Sequence, residues 1–242
     1  MSRLDVYLTE KGVYSSRARA RRAIDDGLVS VNGKVILKSS YDVSESDTVE
    51  AGEDPVPFVS RGGFKLSGAF DAYPVEVAGK ICLDVGASTG GFTQVLLQKG
   101  AETVVAVDVG HNQLHPDLMA NPKVVNMEGT DIRNLNISEY SEYFDFAGID
   151  VSFISLTYIL PYVASYLRKG ALCVALIKPQ FELGKSALNK KGIVKQDKLL
   201  PQAVDKVTTC ASACGFKVIM TKESPVKGGD GNREFLTILE CL

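Results

Sequence analysis

Short apolar runs and helix-length amphipathic segments alternate along the last two thirds of the chain. Apolar runs bounded by polar turns are typical of buried strands, and apolar residues spaced three and four apart are typical of helices. Strands are predicted at 80–85, 103–108, 124–127, 145–150, 171–178, 216–222 and 234–240. Helices are predicted at 91–99, 155–167 and 199–214. This alternation predicts an α/β fold built on a mostly parallel sheet that is covered on both faces.

The first 51 residues carry a different pattern, which predicts a small α+β unit. A helix is expected to begin at the serine pair 15–16 and to end at Gly27, because serine caps helices and glycine stops them. Its apolar side consists of Ala18, Ala20, Ala23 and Ile24. Residues 28–35 then read as a strand, an Asn-Gly turn and a second strand, which is the strongest short signal of a β-hairpin.

Residues 52–59 have the composition of a linker. They contain two prolines, one glycine and two acidic residues, with no hydrophobic periodicity. Prolines make such a segment semi-rigid. The predicted organisation is therefore a small domain at 1–51, a linker at 52–59 and an α/β domain at 60–242.

Composition limits the kind of protein. The chain has 242 residues, 45% of them hydrophobic, which is enough for two unequal domains. It has no apolar run of eighteen residues, and charges at positions 3 and 5 do not fit a signal peptide. Five cysteines without a Cys-x-x-Cys pair fit reduced thiols. We therefore expect a cytoplasmic protein without a membrane segment.

Basic residues concentrate near the N-terminus, although the formal net charge is −2. Positions 11–24 hold no acidic residue and five basic ones: Lys11, Arg17, Arg19, Arg21 and Arg22. Such a cluster is typical of surfaces that bind phosphate backbones. A solvated helix face is the more common origin of a charge run, but it usually contains interleaved Glu or Asp. The cluster therefore favours nucleic-acid binding.

A glycine-rich turn joins the predicted strand at 80–85 to the helix at 91–99. It reads Asp84-Val85-Gly86-Ala87-Ser88-Thr89-Gly90-Gly91. Strand–turn–helix junctions of this kind let the backbone approach a nucleoside. A dinucleotide fingerprint would need glycine at position 88, where serine stands. Asp108 ends a second strand about twenty residues later and is suited to bind a ribose. The pattern favours S-adenosylmethionine over NAD.

Four charged side chains stand next to strand ends or glycine-rich turns. Asp150 and Lys178 each follow an apolar strand, and Pro179 ends the second of these strands. Lys65 and Glu234 each follow a glycine-rich turn. A lysine at a strand end is either a solvated cation or a partly buried amine that can act as a base near neutral pH. Taken alone, the lysine favours the solvated interpretation.

Three short motifs mark the first domain. They are Arg3-Leu4-Asp5, Ser16-Arg17-x-x-Ala20 and Ile24-x-x-Gly27-x-Val29-x-Val31-Asn32-Gly33. Together they resemble the S4 domain, a module shared by a ribosomal protein and several RNA-modifying enzymes. The resemblance covers most of residues 3–50 and implies that this part of the chain binds structured RNA.

Five further motifs follow in the second part of the chain. They are VSRGGFKL at 59–66, DVGASTGGF at 84–92, DVSFISL at 150–156, KPQFE at 178–182 and GNREF at 231–235. They resemble the TlyA family, which joins an S4 domain to an FtsJ-like methyltransferase domain. The resemblance implies a Rossmann-like class I sheet that uses S-adenosylmethionine. It also implies methylation of the ribose 2′-hydroxyl of cytidine in ribosomal RNA, in 23S and in some members also 16S.

The resemblance implies a role for each candidate residue. The family's Lys-Asp-Lys-Glu tetrad falls on Lys65, Asp150, Lys178 and Glu234. Lys178 is the candidate base for the ribose hydroxyl, and the two acids would hold the lysines in position. The cofactor-binding candidates are Asp84, Gly86, Ser88, Gly90, Asp108 and Asp131. The RNA-binding candidates are Lys11, Arg17, Arg19, Arg21, Arg22 and Arg61. For Asp131, expected near the adenine, a helix cap before Ile132 is an equally good interpretation.

Three other groups of residues have simpler interpretations. His111 and His115 have a helical metal-ligand spacing, but Pro116 disfavours a helix at that point, so no metal site is expected. The tyrosines at 158, 162 and 166 recur every four residues and are interpreted as a packing stripe. The lysines at 185–195 lie either in a mobile loop over the RNA or in a solvated linker, and the first is favoured.

Two further functions stay open beside the methyltransferase. One is a catalytically silent RNA-binding protein that acts in ribosome assembly, although all four tetrad types are present. The other is a membrane-lytic protein, because the family carries a historical haemolysin name. The lack of a signal peptide, a spanning segment and a bulky basic amphipathic helix disfavours lysis. Ribosomal RNA or ribosomal subunits are the expected partners, and the oligomeric state is not indicated.

Overall fold

The computed structural model describes residues 2–14, 16–52, 58–136, 138 and 143–242. The chain divides into two compact units, Met1–Pro57 and Phe58–Leu242. Ser15, part of the predicted helix cap, lies outside the described residues, and so do residues 53–57 of the predicted linker. Among the helices that are described, none is both long and apolar enough to cross a membrane.

The small unit combines two helices with short antiparallel strands. The helices are α1 Leu4–Glu10 and α2 Arg17–Asp25, and the strands are β1 Ser2–Arg3, β2 Val29–Val31, β3 Lys34–Val35, β4 Asp42–Val43 and β5 Val49–Ala51. β2 lies between β3 and β5, while β1 pairs with β4. The predicted hairpin is confirmed, because Asn32 and Gly33 form the β2–β3 turn with φ angles of 51° and 75°.

Helix α2 is stabilised by a capping residue at its start, a glycine after its end and an apolar inner face. The Ser16 hydroxyl accepts a hydrogen bond from the Arg19 backbone N–H, and Gly27 follows the last turn with a φ of 73°. The buried face of the helix consists of Ala20, Ala23 and Ile24. These residues pack against Leu8 and Val29 in the core of the small unit. The arginines of α2 lie outside this apolar face, and two of them, Arg17 and Arg21, contact Asp5 of α1.

The large unit is an α/β fold with seven described strands in one sheet. The strands are β6 Ile81–Val85, β7 Thr103–Asp108, β8 Val124–Glu128, β9 Phe144–Ile149, β10 Leu167–Ile177, β11 Phe216–Glu223 and β12 Phe235–Cys241. The helices are α3 Gly62–Ala72, α4 Gly91–Gln98, α5 Pro116–Met119, α6 Leu160–Tyr166, α7 Pro179–Glu182 and α8 Leu200–Ala213. All seven predicted strands are confirmed, each with ends within four residues of the predicted ones.

The strand order determines where a site can form. The sheet runs β11-β12-β10-β9-β6-β7-β8. Five neighbouring strands, β10, β9, β6, β7 and β8, are parallel. β12 lies between β10 and β11 and is antiparallel to both. The prediction of a mostly parallel sheet is therefore confirmed. The carboxyl ends of the parallel strands share one edge of the sheet with the start of β12, and ligands bind at such an edge in open α/β folds.

Apolar layers cover both faces of the sheet, because successive residues of a strand point to opposite faces. In β6, Leu83 and Val85 belong to the layer that contains α6 and α8. Cys82 belongs to the opposite layer, with α3 and α4. Burial on both sides explains why the strands read as continuous apolar runs in the sequence.

Two helical segments differ from the sequence prediction. The glycine-rich segment before Lys65, predicted as a turn, is the first turn of α3. A Cβ on Gly91 would lie 2.8 Å from the Gly63 nitrogen, so these glycines let α3 and α4 approach closely. The single helix predicted at 155–167 is a 3₁₀ turn, Leu156–Tyr158, followed by α6. Pro161 stands at the start of α6, where it lacks the N–H that would continue a helix from the preceding turn.

The prediction of a tyrosine packing stripe is wrong for two of its three residues. Tyr166 is buried, and its hydroxyl donates to the Ile132 carbonyl. Tyr158 and Tyr162 are 63% and 41% exposed. The helix is interrupted between Tyr158 and Tyr162, so the spacing of four no longer places Tyr158 on the face of the other two rings. Tyr162 and Tyr166 share α6, and the interruption does not explain the exposure of Tyr162.

The two histidines do not share a helix. His115 caps α5, and its Nδ1 accepts a hydrogen bond from the Asp117 backbone N–H. His111 lies in the turn that follows β7 and is exposed. Throughout the part of the chain that the structure describes, three or more potential His, Cys, Asp or Glu ligands nowhere surround a common point.

Candidate active site

Two lysines and two carboxylates meet at the sheet edge where β9 and β10 end and β12 begins. Lys178 Nζ lies 2.6 Å from Asp150 Oδ1, and Lys65 Nζ lies 3.3 Å from Asp150 Oδ2. Lys65 Nζ also lies 2.9 Å from Glu234 Oε2. The four side chains form a continuous series, Lys178–Asp150–Lys65–Glu234, which we call the ion-pair chain. The structure therefore brings together all four residues of the predicted tetrad.

Three neighbouring strands and one helix position the ion-pair chain. Asp150 and Lys178 directly follow β9 and β10, and Glu234 directly precedes β12. β10 lies between the other two strands. Because β12 is antiparallel, its first residue pairs with the last residue of β10. Lys65 comes from the first turn of α3, which packs beside α4.

The ion-pair chain is almost completely buried. The exposed fraction is 8% for Lys65, 8% for Lys178 and 2% for Glu234. Burying a charge costs free energy unless an opposite charge lies close by, and the series alternates two cations with two anions. Lys178 Nζ also donates a hydrogen bond of 2.8 Å to Ser152 Oγ. The amine of Lys178 is therefore held in a fixed direction, as proton transfer requires.

Two adjoining cavities open beside the ion-pair chain. The main cavity has a volume of about 370 Å³, and its apolar wall includes Val109, Ile132, Ile154 and Ile159. Its polar lining includes Gly86, Ser88, Asp108, Gly110, Asp131, Asp150 and Ser152. The second cavity, of about 170 Å³, shares part of that lining and adds Ser60, Gly62, Gly91 and Lys178. A ligand in the main cavity would therefore extend toward Lys178.

The predicted glycine-rich turn forms one side of the main cavity. Gly86 has a φ of 82°, and a Cβ there would lie 2.7 Å from the Asp150 carbonyl oxygen, so only glycine fits. Asp108 Oδ2 accepts from the Ser88 backbone N–H at 2.8 Å, and Asp108 Oδ1 accepts from that of Gly110 at 2.7 Å. The carboxylate at the end of β7 is therefore fixed in the cavity lining.

Comparison with known proteins identifies the two units. The family model "FtsJ-like methyltransferase" matches residues 58–241, and the model "S4 domain" matches residues 2–49. The 16S/23S rRNA (cytidine-2′-O)-methyltransferase TlyA of Mycobacterium tuberculosis is 39% identical over 235 residues, which are 97% of this chain and 88% of the relative. The chain belongs to the TlyA family of FtsJ-like methyltransferases.

Other relatives span nearly the same length. Hemolysin A of Brachyspira hyodysenteriae is 39% identical over 239 residues, which are 97% of this chain and 98% of the relative. A solved structure of a "putative hemolysin" from Streptococcus thermophilus superposes with a TM-score of 0.78 at 40% identity, covering 99% of this chain and 88% of that one. These matches confirm the resemblance to the TlyA family that the sequence motifs indicated, over 97% of the chain.

Two of the six predicted cofactor residues lie behind the cavity. Asp84 is fully buried, and its Oδ2 accepts from the backbone N–H and the hydroxyl of Thr93, which joins β6 to α4. A Cβ on Gly90 would lie 2.3 Å from the Leu118 side chain, so Gly90 packs against α5. As the described residues define it, the cavity lining includes neither Asp84 nor Gly90. Burial raises the pKa of Asp84 to about 7 despite the Thr93 hydrogen bonds.

Asp131 fits both interpretations that the sequence left open. Its Oδ1 accepts from the Arg133 backbone N–H at 3.0 Å, which caps the 3₁₀ turn Ile132–Asn134. It also lines the main cavity. The Arg133 guanidinium bonds both carboxylate oxygens and lowers the pKa of Asp131. The cap therefore holds a charged carboxylate at the cavity rim.

The basic residues of the S4 domain surround a buried acid. Asp5 is fully buried and accepts hydrogen bonds from the guanidinium groups of Arg3, Arg17 and Arg21. These bonds hold the pKa of Asp5 well below its usual range. Three guanidinium groups, each on a side chain about half exposed, are thereby fixed around one point. Of the other candidates, Lys11 and Arg22 are exposed and Arg19 is half-buried.

Arg61 lies at the edge of the methyltransferase site. It is exposed and directly precedes α3. A Cβ on Gly229 would lie 3.2 Å from the Arg61 guanidinium, and a Cβ on Gly228 would lie 2.5 Å from Glu234 Oε1. The glycines at 228 and 229 therefore let this loop lie directly against Arg61 and the end of the ion-pair chain.

Sequence reasoning gave no role to two residues next to Asp150. Ser152 accepts the hydrogen bond from Lys178 and lines both cavities. Phe153 lines the main cavity although its side chain is 91% exposed, and its φ is 65°, which is rare for an aromatic residue. Its ring lies 5.1 Å from that of Phe181. The available signal was an aromatic residue directly after Ser152, in the polar stretch that follows a strand.

Glu182, the last residue of the KPQFE motif, is buried, and its carboxylate accepts hydrogen bonds from several segments of the site. Its Oε2 accepts from Ser155 Oγ at 2.5 Å, and its Oε1 accepts from the Leu156 backbone N–H at 2.8 Å. Lys206 Nζ donates to Glu182 Oε2 at 3.2 Å and to the Glu182 carbonyl at 2.8 Å. Glu182 therefore ties the segment after β9, which contains Asp150, to α7 and α8.

Proposed function

We propose that this protein transfers a methyl group from S-adenosylmethionine to the ribose 2′-hydroxyl of a cytidine in ribosomal RNA. The observation that carries the proposal is the buried ion-pair chain, in which Asp150 lines both cavities and Lys178 lines the second one. Membership of the TlyA family supports it, because relatives of nearly equal length carry the name rRNA (cytidine-2′-O)-methyltransferase.

The main cavity suits S-adenosylmethionine in size and in its lining. A volume of about 370 Å³ falls within the range of small-ligand sites. Asp108 would accept hydrogen bonds from the ribose hydroxyls, Asp131 would lie beside the adenine, and the turn at Gly86 and Ser88 would contact the ligand through its backbone. When bound, S-adenosylmethionine supplies a methyl group on a positively charged sulfonium.

The ion-pair chain accounts for the proton that the hydroxyl must lose. A ribose hydroxyl is a weak nucleophile, so its proton has to leave as the oxygen bonds to the methyl carbon. For this step the Lys178 ammonium, which pairs with Asp150, first releases a proton to solvent, and the resulting amine takes the hydroxyl proton at Nζ. Asp150 and Ser152 orient Nζ by their contacts at 2.6 and 2.8 Å. Lys65 and Glu234 hold the far side of Asp150, so the whole series fixes one amine.

Phe153 gives the site an exposed aromatic face for a nucleobase. Sequence-specific RNA recognition favours unpaired nucleotides whose bases stack on aromatic rings. The ring of Phe153 is exposed at the cavity, and Phe181 supports it. Phe153 therefore serves as a stacking surface for the substrate nucleotide, while its ribose reaches Lys178. In the S4 domain, Arg17 and Arg21 would bind phosphates of the same RNA.

Transfer of tritiated methyl groups to undermethylated large and small ribosomal subunits tests the proposal. Methylated ribose blocks alkaline cleavage of the neighbouring phosphodiester, so the label should appear in alkali-resistant dinucleotides that begin with cytidine. Lys178→Ala serves as the inactive control. Label on a base would contradict the proposal. Binding of S-adenosylmethionine without transfer to any rRNA substrate would also contradict it, and a lack of both would favour an assembly factor.

A further inference from the structure

The lysine-rich segment after α7, predicted to be either a mobile loop over the RNA or a solvated linker, forms a small hairpin. Leu188 and Val194 pair as an antiparallel bridge. The side-chain oxygen of Asn189 accepts from the backbone N–H groups of Lys191 and Ile193, at 2.8 and 3.0 Å. We call residues 187–195 the lysine hairpin. Its turn is fixed by hydrogen bonds within the segment itself.

The segment that contains the lysine hairpin carries positive charge without compensating acids. No acidic residue stands between Glu182 and Asp197, while four lysines do: Lys185, Lys190, Lys191 and Lys195. All four are exposed. In the described part of the chain, the ion pairs involve none of them. Lys190 and Lys191 occupy the centre of the turn, which the Gly192 N–H closes by donating to the Asn189 carbonyl.

A buried asparagine fastens the hairpin to the segment that carries Glu234. Asn232 is 2% exposed. Its Oδ1 accepts from the Val194 backbone N–H, and its Nδ2 donates to the Gly192 carbonyl, both at 3.1 Å. Glu234 follows two residues later, so the two Cα atoms are at most about 7 Å apart. The lysine hairpin is thereby held close to the ion-pair chain.

Arg233, which lies between Asn232 and Glu234 in the sequence, makes two ion pairs close to the lysine hairpin. The Arg233 guanidinium lies 2.9 Å from Asp197 Oδ2 and 2.6 Å from Glu223 Oε2. Asp197 follows the lysine hairpin by two residues, and Glu223 ends β11. Asn232 therefore holds the hairpin itself, and Arg233 holds the chain that follows it.

We propose that the lysine hairpin binds backbone phosphates of the RNA strand that carries the target ribose, and that Asn232 is the positioning residue for it. The inference rests on the proposed function. Phosphate is the group that exposed ammonium groups without an acidic partner recognise in a nucleic acid. Because the turn is already ordered, binding loses little conformational entropy. Its nearness to Glu234 implies phosphates within a few nucleotides of the methylated one.

The double variant Lys190→Ala/Lys191→Ala tests the binding role. The KM for the ribosomal substrate should rise at least tenfold, with kcat and the affinity for S-adenosylmethionine within twofold of wild type. The slope of log affinity for RNA against log salt should become shallower by roughly 0.7–0.9 for each phosphate that the variant no longer neutralises. The matched control Lys123→Ala/Lys169→Ala removes two exposed lysines at the opposite edge of the sheet and should change neither quantity.

A double-mutant cycle tests the positioning role of Asn232. If Asn232 positions the hairpin, removal of the two lysines should raise KM several-fold less in an Asn232→Ala background than in wild type. A merely structural effect of Asn232→Ala would leave the effect of the lysine pair unchanged. Asn232→Asp keeps the acceptor for the Val194 N–H and should recover part of the coupling.

The outcomes separate this inference from the proposed function. If the wild-type protein methylates no rRNA substrate, the proposed function fails. If wild type methylates rRNA but the lysine variant keeps its KM and salt dependence, only the hairpin inference is overturned. An equal lysine effect in both Asn232 backgrounds overturns the positioning role. Lysine-dependent sedimentation with phosphatidylglycerol vesicles, with an unchanged KM, would assign the hairpin to lipid and also overturn the inference.

Discussion

At the scale of single residues, the glycine-rich turn contains residues that line the main cavity and one residue, Asp84, that is buried behind it. Gly86, Ser88 and Asp108 line the main cavity, whereas Asp84 binds Thr93 below it. The Asp84 carboxyl is fully buried, and one of its oxygens has no hydrogen-bond partner among the described residues. Burial therefore disfavours its charged form. Asp84 acts on the cavity through the position of β6 and α4.

Asp84 gives the stability of the fold a pH dependence with a defined sign. Its pKa is about 7 in the folded protein and near 3.8 when unfolded, so between these values the folded state binds more protons. Wild-type stability should therefore contain a contribution that falls as pH rises from about 4 to 7. In Asp84→Asn this contribution is absent, while the amide oxygen still accepts from Thr93.

Urea unfolding at pH 5 and pH 8 measures the effect. The free energy of unfolding of Asp84→Asn relative to wild type should increase by roughly 2–3 kcal/mol between the two pH values. The exposed Asp71→Asn is the matched control and should show no such change. An equal pH dependence in wild type and Asp84→Asn would contradict the assignment.

At the scale of elements, short segments after the strands are held by buried side chains rather than by regular structure. Glu182 joins the segment after β9 to α7 and α8 through Ser155, Leu156 and Lys206. The same two strand ends supply Asp150 and Lys178. The distance between these two functional side chains therefore depends on a carboxylate that is not in the described lining of either cavity.

Replacing Glu182 should weaken both the fold and the reaction. Glu182→Ala leaves the buried Leu156 backbone N–H without its acceptor and removes the carboxylate that Ser155 and Lys206 bind, which we expect to cost about 2–4 kcal/mol of stability. Chemical denaturation and single-turnover transfer measure the two effects, and kcat should fall more than the KM for RNA rises. Glu223→Ala removes an exposed ion-paired carboxylate and should cost under about 1 kcal/mol. Equal effects of the two substitutions would show that Glu182 has no special role.

Strands, helices and turns were predictable from the sequence where short local sequence signals determine them. The β2–β3 hairpin follows from Asn32-Gly33, and the seven strands of the sheet follow from their apolar runs. Helix α3 was not predictable, because its glycines have low helix propensity and are explained only by the close approach of α4. The interruption before α6 depends on Pro161, so it could in principle have been predicted from the sequence.

At the scale of the whole molecule, the site depends on chain topology. Lys65 and Glu234 are in contact although most of the methyltransferase domain lies between them in sequence. No local pattern predicts that contact, since it requires β12 to insert antiparallel beside β10. Strand ends and glycine-rich turns drew attention to the four residues one by one, and only the family motifs indicated that they form one tetrad. The sequence could not indicate Glu182 or the hairpin tie, because their roles follow from tertiary contacts.

The S4 domain should contribute to RNA affinity and not to the chemical step. Lys11→Ala/Arg22→Ala removes two exposed cations whose own contacts are weak: one lies over the Tyr7 ring and the other pairs with Asp26 on the surface. The KM for the ribosomal substrate should rise several-fold at unchanged kcat, and the salt dependence of binding should weaken. Lys34→Ala/Lys38→Ala, also on the S4 surface, is the control and should have the smaller effect. A fall in kcat alone would contradict this role.

The central claim is that Lys178 serves the chemical step, and single-turnover methyl transfer tests it most directly. Lys206 provides a matched control, since it too contacts a serine and a buried carboxylate but lies away from the cavities. Lys178→Ala should lower the transfer rate about 10²–10⁴-fold while calorimetry shows binding of S-adenosylmethionine unchanged. Lys206→Ala should stay within tenfold of wild type. A Lys178→Ala rate near that of wild type, or equally reduced rates in the two variants, would contradict the account.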